Sequence, residues 1–347
     1  MKDLASALGL TVPTISRALA GHPDVSQATQ QRVRELAQEM NYRPNRLASG
    51  LRNGRSGIIG VVVPHITGYF FPEVIHAVSA EATKAGYSVM ICESNESEQQ
   101  QQATLEILLN AQVEGILISI ANTTADFSAF GPVLEQQVPL VFFDRVLTDE
   151  PTVSTVVLDD YRAAYQLVTH LIEQGCTRIA HLTGALHLNV FQNRLRGYTD
   201  ALIAHGLPVD EQLICRSDMS LGAGRQAMNT LLALPQPPDA ICSSKDIATI
   251  GAWQVLTEHG LQAPHDVALA SFGNDQFTAL ALPFLTSVDQ QAPAIGEAAA
   301  HVLLDIVQHP GRNVVTQHVQ VAPHVEVRGS SQRLLFPRHN RRAASAA

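Results

Sequence analysis

Between Asn41 and Pro64 the hydrophobic pattern of the chain changes, and one packed layer cannot satisfy both sides of the change. Before it, apolar residues recur at helical spacing in short segments. After it, Ile58–Val63 is apolar without alternation, the mark of a parallel strand covered on both faces. A long succession of apolar runs and amphipathic stretches follows. Pro44 stops any helix arriving from upstream, because it lacks an amide hydrogen and disfavours helical geometry at Arg43. Asn45–Arg52 has room for about two helical turns with Leu47 and Leu51 on one face. Isolated helices shorter than roughly 12–15 residues are marginal in water, and Gly50 weakens this one further. With Arg43, Arg46, Arg52 and Arg55 around it, a phosphate backbone is its natural support.

The 347 residues leave room for two or three domains and a sizeable core. No apolar run approaches the roughly 18 residues of a membrane span, and Met1 leads straight into a polar helix, so a cytoplasmic protein with no membrane partner is expected. Cys92, Cys176, Cys215 and Cys242 are far apart and form no CxxC pair, which favours free thiols over a metal or redox site. Charge is unevenly shared. Residues 1–56 hold eight Lys or Arg against four Asp or Glu, so the remaining 15 basic and 28 acidic residues make the rest strongly negative. A basic head on an acidic body is expected to meet a polyanion through the head alone.

In the head, Leu4, Ala5 and Leu8 mark the inner face of a first helix that stops at Gly9. Thr11 is an N-cap for a second, Pro13 is tolerated in its first turn, and Ile15 and Leu19 face inward. Ser26 caps a third, with Val33, Leu36, Ala37 and Met40 at helical spacing. Three short helices with a tight Gly-containing turn between the first two make a helix-turn-helix. The second helix of such a module enters the major groove, where Arg17 can pair with guanine, Val12 and Pro13 can touch a thymine methyl, and Thr11, Thr14 and Ser16 suit phosphates. The alternative is a helical bundle whose polar face is merely solvated.

The body alternates strand and helix. Strands are predicted at Ile58–Val63, Ser88–Cys92, Gly115–Ile120 and Leu140–Phe143, with helices at Pro72–Ala85 and Gln99–Leu109. The pattern then restarts, with helices at Tyr161–Glu173, Arg194–His205, Gly222–Leu232 and Asp246–His259 and strands at Arg178–Thr183, Ala240–Cys242 and Val267–Ser271. Two similar parallel-sheet α/β lobes are expected. Ligands of such lobes sit where loops leave the carboxyl ends of strands. Phe70 and Phe71 lie there, offering aromatic faces to a ligand or packing into the core.

The chain resembles the LacI/GalR family of transcriptional regulators. The resemblance is carried by Lys2-Asp3-Leu4-Ala5, Thr14-Ile15-Ser16-Arg17-Ala18-Leu19, Asp24-Val25-Ser26 and Asn41-Tyr42-Arg43-Pro44-Asn45, and continues through Leu51–Ser56 into Ile59–Pro64. It implies an all-α helix-turn-helix head (1–44), a hinge helix and linker (45–56) and a periplasmic-binding-protein-like body for effector binding and dimerisation (57–330); the tail (331–347), with Arg333, Arg338, Arg341 and Arg342 and a run of small residues at its end, is expected to be disordered from its composition. The hinge would meet DNA through Asn45, Ala48 and Leu51, with Leu51 wedged into the minor groove. The chain would cross between lobes near Leu158–Tyr161, Ser287–Gln291 and Val319–His324. Ser119, Asp144, Arg194, Asp246, Asn274 and Gln290 match effector-contact positions, and their carboxylates, amides and guanidinium suit a hydroxyl-rich ligand.

Two residues depart from the family pattern. Lys245 stands where asparagine is usual and Gly273 where an aspartate is usual, which favours an anionic ligand such as a sugar acid unless Lys245 pairs with Asp246 or points outward. No leucine heptad follows, so no tetramer-forming coiled coil is expected. No nucleotide loop, nucleophile or metal spacing emerges, so neither enzyme activity nor a cofactor is expected; Gly222-Ala223-Gly224 lacks a third glycine, and His181 and His187 fit no metal-site spacing. The expected function is that of a homodimeric repressor, reading near-palindromic operator DNA under control of a small carbohydrate-class effector. The rival is a sugar-binding sensor without specific DNA binding.

Overall fold

The computed structural model describes residues 1–19, 21–42, 56–147, 152–280, 283–309, 311 and 315–333. The chain divides into two compact units, Met1–Ser56 and Gly57–Ala347. In the first, helices Lys2–Leu8, Val12–Leu19 and Gln27–Glu39 close over Leu4, Ala5, Ile15, Ala18, Val25, Val33 and Ala37. Gly9 takes φ 66°, the left-handed geometry that ends the first helix. The Thr11 hydroxyl accepts the Thr14 amide at 3.3 Å, and Ser26 does the same for Thr29 at the third helix. The hinge residues Asn45, Ala48 and Leu51 lie outside the described residues.

The second unit contains two six-stranded sheets. Strands β1 (Ile58–Val63), β2 (Ser88–Glu93), β3 (Gly115–Ile118), β4 (Leu140–Phe143) and β5 (Ser154–Leu158) belong to the first lobe. The chain then crosses through helix Asp160–Glu173 to β6 (Ile179–Thr183), β7 (Ile214–Arg216), β8 (Ala240–Ser243), β9 (Ala268–Gly273) and β10 (Thr286–Asp289). It returns in helix Ala292–Gln308, adds β11 (His318–Val321) beside β5, and ends with β12 (His324–Glu326) beside β10. The strand orders are β11-β5-β4-β3-β1-β2 and β12-β10-β9-β8-β6-β7, parallel except for β10 with β12. The three crossings fall at the places the resemblance implied.

Several boundaries moved. Helix Asn189–Ala204 starts earlier than the predicted Arg194, because Leu188 and Val190 are buried with first-lobe residues and the Asn189 side chain bonds that lobe's backbone. Helix Ala292–Gln308 and strands β5, β7, β10, β11 and β12 were not read from the sequence. The start of the expected disordered tail is also corrected. Ser331 is fully buried, and Arg333 donates to the carbonyls of Pro264, Asp239 and Asp266, so hydrogen bonding carries the ordered chain at least to Arg333. Residues 334–347 lie outside the described residues.

Two close backbone approaches place the elements that form the cleft. A Cβ on Gly197 would run into the Tyr161 carbonyl, so helices Asp160–Glu173 and Asn189–Ala204 touch backbone to backbone there. Gly224 likewise lies against the Ala248 carbonyl and Gly251 against that of Leu221, which seats helix Asp246–Glu258.

Candidate effector cleft and DNA-reading helix

The loops at the carboxyl ends of β1, β4, β8, β9 and β10 converge on a cleft, the place where ligands of such sheets sit. Its first-lobe wall carries His65, Tyr69, Phe70, Phe71, Asp144 and Arg145; its second-lobe wall carries Phe191, Arg194, Lys245, Phe272, Asp275 and Gln290. Asp144 (φ 59°), Asn274 (φ 53°) and Gln291 (φ 55°) turn left-handed as the chain leaves β4, β9 and β10. Such strain persists only where surrounding structure holds it, and it clusters at ligand sites.

Arg194 is the hub. Its Nε donates to Asp160 Oδ1 at 2.7 Å, Nη1 to the Ser244 carbonyl at 2.8 Å and Nη2 to Gln290 Oε1 at 3.1 Å. The guanidinium lies 4.2 Å from the centre of the Phe272 ring. Three protein acceptors fix the fork while part of its donor capacity still faces the cleft. Burial pushes Asp160 up to about 6 despite the guanidinium beside it.

Of the predicted effector positions, Phe70, Phe71, Asp144, Arg194, Lys245 and Gln290 line the cleft. Phe71 does so while also packing into the core, edge-on to Phe143. Ser119, Asp246 and Asn274 do not line it. Ser119 donates to Asp144 Oδ2 at 3.3 Å, and Asn274 bonds Arg328 and Asp289. Asp246 is turned inward, accepting from Ser271 Oγ, from Ser287 Oγ at 2.8 Å and from the Asp275 amide at 3.0 Å. These three residues shape the walls instead of presenting free polar atoms.

Burial pushes the Asp246 carboxyl up to about 7, so the folded chain holds a proton that the unfolded chain loses near its ordinary value of 3.8. Stability from this group is therefore present below about pH 4 and is lost as pH rises to about 7. Melting curves measured from about pH 5 to about pH 8 are expected to fall less steeply for Asp246→Asn than for the parent. Parallel curves would remove this role.

Sequence reading missed His65, Tyr69, Arg145, Phe191, Phe272 and Asp275 on the walls, and the supports Asp160, Asn189 and Glu96. Arg145 pairs with Glu96 at 2.7 Å. Asn189 donates to the Asp144 carbonyl at 3.0 Å and accepts the Val146 amide at 2.9 Å, joining the lobes. The only local signal was position, since Arg145 follows Asp144 and Phe272 precedes Gly273 at strand ends. His181 and His187 each bond a backbone carbonyl. Buried His181 stacks on Tyr198, bonds the Cys242 carbonyl, and is pushed down to about 4 by burial, while exposed His187 bonds the Asn122 carbonyl. Among the described residues no helix is long and apolar enough to cross a membrane.

In the head, Thr11, Pro13 and Arg17 are exposed on one side of helix Val12–Leu19, with Thr14 and Ser16 half-buried beside them. Val12 packs partly against the head's core. The Thr11 and Thr14 hydroxyls bond each other at 2.8 Å.

A three-helix reader joined in one chain to a two-lobed body with a small-molecule cleft defines a ligand-responsive DNA-binding regulator. Comparison with known proteins agrees. Residues 1–45 match the model for bacterial regulatory proteins of the lacI family, and residues 56–325 match that for periplasmic binding proteins and the sugar-binding domain of the LacI family. The chain belongs to the LacI family of DNA-binding transcriptional regulators. It is 33% identical over 336 residues to the HTH-type transcriptional repressor CytR of Escherichia coli (strain K12), covering 96% of each chain. It is 29% identical to the ribose operon repressor of the same organism, covering 95% of this chain and 99% of that one. A solved transcriptional regulator CelR–cellobiose complex superposes with TM-score 0.74 at 27% identity, covering 94% of this chain and 98% of the other.

Proposed function

We propose that this chain represses transcription in the cytoplasm as a homodimer, with two heads reading the halves of a near-palindromic operator and the cleft holding a hydroxyl-rich, carbohydrate-class effector. Thr11, Val12, Pro13, Thr14, Ser16 and Arg17 would make the major-groove contacts, with Asn45, Ala48 and Leu51 in the minor groove. A twofold dimer offers two equivalent recognition helices, which is why a palindrome suits it. The observation that carries the effector half is the Arg194 fork, held by three protein acceptors and stacked on Phe272 with donor capacity left toward the cleft. The cellobiose complex of CelR and the name of the ribose operon repressor support a sugar as the class of ligand. A ligand moves the lobes only as far as its affinity differs between their arrangements, and operator affinity changes by the same coupling.

The test is a gel-shift titration of promoter fragments, with and without a panel of sugars. A retarded palindromic fragment whose midpoint moves with one sugar is expected; no sequence preference would leave only the sensor reading. In the same assay Arg17→Ala is expected to cost about 1–3 kcal/mol on the preferred duplex and much less on a scrambled one. Equal losses on both would reduce Arg17 to a phosphate contact.

A further inference from the structure

The cleft carries a positive charge without a partner. Arg145 is paired with Glu96 and Arg194 with Asp160, but Lys245 has no ion pair or side-chain hydrogen bond among the described residues. It does not pair with Asp246, whose carboxylate is taken up by Ser271, Ser287 and the Asp275 amide. Its side chain is accessible within the cleft, while the surrounding walls and then the charge of Arg145 lower its pKa. His65, on the opposite wall, is lowered by burial and then by Lys245. Glu96 and Asp275 act against this field. Glu96 is committed to Arg145, and Asp275 accepts the Tyr69 amide and is itself raised by burial.

Two further features add to the donor side of the cleft, whose walls also carry the acceptors Asp144, Asp275 and Gln290. Gly273, at φ 138°, supplies no side chain, and a Cβ there would come within 2.6 Å of Asp246 Oδ2. Helices Phe70–Lys84, Asn189–Ala204 and Asp246–Glu258 begin at the cleft, and none has a side-chain N-cap hydrogen bond. Ser97 and Ser220 do cap helices that begin away from it. Uncapped first turns present amide hydrogens to whatever occupies the cleft; the first and third of these helices carry an acidic residue there, Glu73 and Asp246, and helix Asn189–Ala204 carries none.

We propose that the effector carries an anionic group, a carboxylate or a phosphate on a hydroxylated body, seated between Lys245 of the second lobe and Arg145 and His65 of the first. This rests on the cleft being the effector site and names the ligand class that the site selects. Without an anion, Lys245 repels Arg145 across the cleft. An anion between them turns that repulsion into two attractions, so the charged ligand draws the lobes together where its neutral counterpart does not.

The test is calorimetry on the full chain with matched sets built on glucose, galactose and ribose, each comprising the neutral sugar, its acid and its phosphate. In at least one set a charged member is expected to bind about tenfold or more tighter than the neutral sugar, and the acid and phosphate arms show which anion is read. Lys245→Met is expected to lose about tenfold for that member and Lys245→Arg to recover most of it, since either cation serves the anion. Tightest binding by a neutral sugar, or charged-sugar affinity unchanged in Lys245→Met, would overturn the proposal and leave the cleft as effector site. Failure of every sugar to bind a chain that still selects a palindromic duplex would overturn the cleft reading and this proposal together.

Discussion

Arg194→Met is expected to abolish the effector response and to cost about 3–5 kcal/mol of stability, because it leaves the Asp160 carboxylate buried without its cation. The side chain does more than neutralise a charge. It joins Asp160, the Ser244 carbonyl and Gln290 while stacked on Phe272, so these three links and the cleft-facing donors are lost together. Arg194→Lys separates the two effects. An ammonium keeps the attraction to Asp160 but cannot present the planar fork, so stability should recover largely while ligand affinity stays low. Thermal melting and calorimetry on both variants check this. Parental ligand affinity in Arg194→Lys would remove the fork from recognition.

The second large effect is expected at Gly197. Leucine there meets the Tyr161 carbonyl, a backbone atom that cannot move aside, and helices Asp160–Glu173 and Asn189–Ala204 must separate. A loss of about 3 kcal/mol is expected, the upper part of the range for overpacking. The separation also draws Arg194 away from Asp160, so effector binding should fall with stability. Gly222→Ala is the control, since a Cβ at Gly222 meets nothing closer than Ser220 Oγ at 3.9 Å. That substitution should be neutral or stabilise by up to about 1 kcal/mol through helix propensity. Equal melting of Gly197→Leu and the parent would show that the helices are not in backbone contact.

These two sites show how far the chain could be read unaided. Strands β1 and β4 were legible because Ile58–Val63 and Leu140–Phe143 are covered on both faces and carry no polar residue to break the run. β10 was not, because Thr286 and Ser287 are fully buried polar residues satisfied by partners distant in sequence: Arg328, Ser330, Ser331 and Asp246. Helix Ala292–Gln308 escaped notice because it is buried around much of its circumference and has little polar face to reveal a period. The same division holds in the cleft. Arg194 and Gln290 were found through a family pattern. Asp160 was not, since nothing local announces a partner 34 residues before Arg194. Asp246 shows what local chemistry leaves out. Its chemistry suggests a ligand contact, yet three donors from the protein already occupy it.

If cleft and head work as one regulator, occupancy of the first must change the sequence preference of the second. The most direct measurement is fluorescence anisotropy of a selected palindromic duplex and a scrambled one at a fixed, moderate salt concentration, with and without the tightest-binding sugar from the calorimetric sets. Preference for the palindrome is expected, together with a shift in its affinity of roughly 5-fold or more that the sugar's own affinity mirrors when operator is bound. Indifference between the two duplexes, or a preference that no cleft ligand alters, would contradict it.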